Sequence, residues 1–193
     1  QASSSISLAH VGATKSEVLA AIHTASSKPF AMHVAAHGAH RDRWTTALQL
    51  AEQTELTVAD AIALSVPNLR LCVLSACETA LNDSVSDAAA ENIGMPTAFL
   101  VAGATCVVAG LWRVSDAATA LLQVEMWRRL HQRQSVSMAL RNAQTWLRTL
   151  RAPAVVDQLR AVAPPLLQAS TGTTVRGVCA RGDPYETALC CAD

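Results

Sequence analysis

FAMHVAAHG (30–38) and LCVLSACET (71–79) decide how this chain folds. Each is a short apolar run that ends abruptly in one reactive side chain, His37 in the first and Cys77 in the second, forty residues apart. Short runs that are apolar throughout, rather than alternating, read as strands buried on both faces of a sheet. A thiolate is a strong nucleophile, and imidazole is the side chain best suited to move protons near neutral pH. Two neighbouring parallel strands ending at one sheet edge would bring the two groups within reach of each other.

Working outward, the stretches between these runs read as helices. Thr14 followed by Glu17 is a capping-box pattern that opens a helix over roughly 15–26, and Pro29 ends the connection to the first strand. Thr57 followed by Asp60 starts a second helix, to about Leu64, closed by Pro67. Residues 79–93 are polar and alanine-rich and read as a mobile loop. A helix is expected at about 95–102, and ATCVVAGLW (104–112) reads as a third buried strand. Ser115 can cap a helix from about 116 to 131, and Ser135 another from about 136 to 150. In the latter, Ala139, Ala143, Trp146, Leu147 and Leu150 follow helical spacing. Residues 152–184 read as irregular apart from a short helix at 154–163, and YETALCC (185–191) reads as an edge strand. Buried strands alternating with helices predict an α/β fold with a mostly parallel sheet, its functional groups gathered beyond the carboxyl ends of the strands.

Composition narrows the function classes. Apolar residues make up 51% and charged residues 16%, which places the chain among globular rather than disordered proteins. A net formal charge of zero argues against nucleic acid as the main partner. The longest apolar stretch, Ala98 to Trp112, is broken by Gly103 and Gly110 and is too short to span a bilayer, so no membrane association is expected. The first ten residues, QASSSISLAH, lack the basic start and apolar core of a signal peptide. The six cysteines form no CxxC pair, so neither a disulfide framework nor a zinc site is predicted, and a reducing, cytoplasmic setting is expected. Cys72 and Cys106 read as core fillers; Cys190 and Cys191 receive no role.

The order apolar strand–His–Gly, spacer, apolar strand–Ala–Cys resembles that of the caspase-like cysteine peptidases (clan CD). Within them the chain resembles the CHAT family, which is related to separase and often attached to TPR repeats. The likeness runs through GATKSEVLAAI (12–22), HVAAHG (33–38), LTVADAI (56–62), LSACET (74–79), IGMPTAFLVAGATCVVAGLWRVSDAAT (93–119) and ALRNAQTWLR (139–148). It implies a three-layer sandwich with the sheet flanked by helices. It also implies one domain over 1–193, part of a larger protein and lacking the family's N-terminal strand or strands.

On that resemblance Cys77 is the nucleophile and His37 the proton shuttle, with backbone N–H groups of Gly38 and Cys77 as oxyanion donors. The expected activity is that of an endopeptidase cleaving protein or peptide substrates, regulated by a partner or an attached domain such as TPR repeats. Asp116 is a candidate to hold a basic P1 side chain, as acidic residues past the third strand do in related peptidases; it equally suits a helix cap. Glu78 and Asp60 are weaker acidic candidates, and Trp112 either walls the same pocket or packs in the core. His33, in phase with His37 along its strand, is read as a packed, hydrogen-bonded histidine supporting the site. His40 reads as a loop histidine, and Arg128–Arg129 as the solvated face of a helix. No metal or organic cofactor is implied. A second reading, a catalytically silent CHAT module used for binding or scaffolding, rests on departures from the family pattern. Among them, Pro184–Tyr185 is not followed by the family's aromatic-rich strand.

Overall fold

The computed structural model describes residues 13–39, 46–75, 94–111, 114–162 and 187–191. They fall into two compact units: one holds the residues up to 111 together with 187–191, the other holds 114–162.

The first unit is a four-stranded sheet with helices packed against it. Its strands are β1 (Phe30–Ala35), β5 (Leu69–Ser75), β6 (Cys106–Gly110) and β7 (Thr187–Cys191), in that spatial order. β1, β5 and β6 are mutually parallel, and β7 closes one edge antiparallel to β6. The α/β class with a mostly parallel sheet flanked by helices, and the edge strand at the end of the chain, are as the sequence predicts. A second, three-stranded antiparallel sheet is made by β2 (His37–Ala39), β3 (Ala47–Gln49) and β4 (Glu55–Thr57).

β5 is the centre of the unit. Leu71, Cys72, Val73 and Leu74 are all buried, so both of its faces are covered, and this is why the run carries no internal polar residue after Arg70. Its Cys72 and Leu74 share a core with Val107 and Ala109 of β6 and with Leu48 and Leu56 of the small sheet. Three helices complete that core: α1 (Lys15–Ala25), α2 (Val58–Ile62) and α3 (Met95–Val101). They contribute Ile22, then Val58 and Ala61, then Met95, Ala98 and the fully buried Phe99.

Local chemistry sets the helix ends. Thr14 and Glu17 form the expected capping box, with Thr14 N–H donating to Glu17 Oε2 at 2.8 Å and Glu17 N–H to Thr14 Oγ1 at 3.4 Å. Thr57 and Asp60 repeat it at the start of α2. The two boxes are tied together, since Lys15 Nζ lies 2.7 Å from Asp60 Oδ2. Burial opposes the Asp60 charge, but the Lys15 ammonium and the Thr57 hydroxyl and N–H outweigh it and hold the carboxyl below its ordinary range. Asp60 is therefore engaged in capping. α3 begins just after Gly94, with Pro96 in its first turn, and ends at Ala102. Gly103 follows with φ +111°, and a Cβ there would come within 3.3 Å of the Pro67 and Val66 backbone, so the turn into β6 requires glycine.

Two expectations about this unit are corrected. β1 is not buried on both faces: Ala31, His33 and Ala35 are exposed while Phe30, Met32 and Val34 are partly covered. β1 is the sheet's edge strand among the described residues, with β5 its neighbour on one side. GAHRDRWTTALQL (38–50) reads from the sequence as a loop after His37, but 37–39 and 47–49 are strands, and 47–57 form two strands joined by a tight turn in which Glu52 and Gln53 both take positive φ, 53° and 58°. Strands of three residues are too short for apolar periodicity to reveal them.

The second unit contains α4 (Asp116–His131), α5 (Val136–Thr149) and α6 (Ala152–Val162). Leu121 of α4 and Val155 and Leu159 of α6 are buried together, with Trp146, Leu147 and Leu150 packed against them. Ser135 caps α5 as predicted, accepting from Met138 N–H, whereas Ser115 stands at the start of α4 without a side-chain cap bond. Arg128 and Arg129 are not a simple solvated face. Both pair with the buried Glu125 at 2.7 Å, and Arg129 is itself largely covered. The hydrogen bond from Arg128 outweighs burial and lowers the Glu125 pKa. No helix among the described residues is long and apolar enough to cross a membrane.

Candidate active site

The two strands singled out in the sequence are direct neighbours. β1 and β5 run parallel in the register His33↔Val73, Val34↔Leu74 and Ala35↔Ser75. The last pair matters most. His37 lies two residues beyond Ala35, and Cys77 two residues beyond Ser75, so each reactive residue follows its strand end by the same offset. Because Cys77 and Glu78 lie outside the described residues, as do Trp112, His40 and the 79–93 segment, this equality is a statement about strand ends and chain connectivity.

His37 is held from two directions. Upstream, one residue (Ala36) separates it from β1, and Ala36 N–H donates to Ser75 C=O at 3.4 Å. Downstream, it opens β2 and pairs with Gln49, which in turn pairs with Glu55, so His37, Gln49 and Glu55 form one row across the small sheet. The row was not legible in the sequence, because β3 and β4 were not. His37 is exposed, and the exposed phase at 31, 33, 35 and 37 continues across the break between β1 and β2. Gly38 follows it in β2, opposite Leu48.

His33 stands in the same phase, four residues upstream. Its Nε2 lies 2.8 Å from Ser75 Oγ, a side-chain bridge between β1 and β5. Part of its surface meets solvent, yet the protein packed around the ring penalises the charged form and pushes the pKa below the ordinary imidazole value. The ring is neutral at neutral pH. The expectation of a hydrogen-bonded histidine matches this geometry; its partner, Ser75, was missed, although a lone hydroxyl closing the apolar run LRLCVL was a visible signal.

The other cysteines differ in kind. Cys72 and Cys106 are buried and free, and burial, with Cys106 adding to it, drives the Cys72 thiol well above its ordinary pKa, which makes it a poor nucleophile. Cys190 and Cys191 lie on β7, opposite Val107 and Cys106 in register. Asp116 is the first residue of α4 and is exposed, in the other unit. No cluster of three or more His, Cys, Asp or Glu side chains suited to a metal occurs among the described residues.

A family model for the CHAT domain matches residues 1–173, and the chain belongs to that family. No curated protein matches it.

Proposed function

We propose that the protein is a cysteine endopeptidase in which Cys77 attacks the scissile carbonyl and His37 carries the proton. The observation that supports this is the β1–β5 register, with both reactive residues at the same offset past one pair. In the first step the Cys77 thiol proton passes to His37 and sulfur bonds to the carbonyl carbon. Collapse of the tetrahedral intermediate expels the amine, which leaves with the proton from His37. Water then hydrolyses the thioester. Backbone N–H groups of Gly38 and Cys77 are the donors proposed for the oxyanion. His37 suits the shuttle role because it is exposed and its backbone is held in β2 opposite Gln49.

Asp116 is proposed to select a basic P1 residue. Its exposed carboxylate in the first turn of α4 leaves it open to an arginine or lysine side chain. Glu78 and Trp112 are proposed as further substrate-facing residues, and TPR repeats or another attached domain as the regulator. Cleavage of a peptide library by the protein, with any activating partner present, tests the reading. Cys77→Ala and His37→Ala are each expected to lower kcat/KM by at least about 10³-fold with the melting temperature kept. Undiminished cleavage by Cys77→Ala would end the assignment. Preference for neutral P1 residues would remove Asp116 alone.

A further inference from the structure

We propose that His33 and Ser75 form a positioning pair that sets the spacing between the ends of β1 and β5, and through it the spacing of His37 and Cys77. This rests on the dyad reading above and adds a link that the reading does not itself require.

The pair sits where the strands most need it. Among the described residues, the β1–β5 register runs to Ala35↔Ser75, and the bond beyond it, from Ala36 N–H to Ser75 C=O, is stretched to 3.4 Å. Parallel ladders are slanted and slightly weaker per residue than antiparallel ones. β1 is held from one side only among the described residues. The 2.8 Å bridge from His33 to Ser75 supplies a second connection at that end, between residues 42 apart in sequence. His33 stands within the apolar run FAM–VA, and Ser75 closes the run LRLCVL. His33 shares the exposed strand phase of His37, so the bridge lies on the face of β1 that leads to it. The neutral His33 ring can share this hydrogen bond without needing a counter-charge. Neither residue is assigned a contact with substrate; both act through the strand ends.

Alkylation of Cys77 by iodoacetamide, followed by mass spectrometry on the full chain from pH 5 to 9, tests this without a known substrate. In the wild type, Cys77 is expected to react ahead of the other five cysteines. Ser75→Ala and His33→Ala are expected to slow its alkylation at pH 7 by roughly 10-fold and to move the pH midpoint toward that of a free thiol, about 8.5. Ser75→Thr and His33→Gln, which keep a hydrogen-bonding group, are expected to recover most of the rate. An unchanged rate and midpoint in Ser75→Ala, beside a fast wild-type Cys77, overturns the positioning role even if the melting temperature falls. A wild-type Cys77 no faster than its companions instead overturns the dyad reading, and this inference with it. If His33→Ala does not fold, Ser75→Ala decides.

Discussion

β1 and β5 look alike as sequences and differ as structures. FAMHVA and LRLCVLS are both short, mostly apolar and parallel to each other. Yet β5 buries both faces, whereas β1 buries neither fully and exposes every second residue. The register makes the contrast concrete: exposed His33 stands opposite fully buried Val73, and partly covered Val34 opposite Leu74. Position in the sheet, rather than composition, decides what each strand can carry. The edge strand tolerates a histidine in mid-strand because its ring reaches solvent and a hydroxyl partner. After the exposed Arg70 the central strand stays apolar until Ser75. This division leaves the histidine-bearing strand at the edge of the sheet and the apolar strand at its centre.

The largest expected effect separates the two strands by energy. Leu74→Ala removes a fully buried side chain from the central core and should cost about 2–5 kcal/mol in denaturant unfolding. Its register partner, Val34→Ala, should cost only about 1 kcal/mol, because that side chain is half covered. Equal losses would show that the edge strand is as embedded as the central one.

A smaller effect tests the other end of β5. Gly103 packs against the Val66–Pro67 backbone that leads into it, and Thr105 N–H donates to Leu69 C=O at 2.8 Å. Gly103→Ala should cost about 1–3 kcal/mol through positive φ and the close approach together. A substitution at exposed Ala31, such as Ala31→Ser, should stay within about 0.5 kcal/mol.

The smallest effect is a pH dependence confined to β1. The folded-state pKa of His33 lies below that of the unfolded chain, so the neutral ring favours folding above the unfolded value, about 6.5, and that stability is lost as pH falls. The wild type should therefore lose melting temperature relative to His33→Gln as pH drops from about 7 towards 5. A gap that is flat across this range would mean that the His33 ring is as well solvated when folded as when unfolded.

Much of this architecture is readable without coordinates, for definite reasons. Capping boxes at Thr14–Glu17 and Thr57–Asp60 are local, three residues wide, and were formed as expected. α5 announces itself by a strong apolar face, and β5 and β6 by unbroken apolar runs. The small sheet was invisible because strands of three residues carry no period, and its tight turn uses Glu52 and Gln53 where glycine or asparagine would have signalled one. The Ser75 partner of His33 depended on a pairing across 42 residues that no local pattern contains.

The sequence by itself determined the order of helices and strands, the family, and which histidine and cysteine to examine, because helix caps and runs of buried residues are written in neighbouring positions. Tertiary structure alone decided that β1 is an edge strand, that His37 opens a second sheet, and that His33 meets Ser75. Those facts depend on which distant segments pair and in what register. Pairing is settled by the shared burial of the whole core around β5, to which no single segment holds the information.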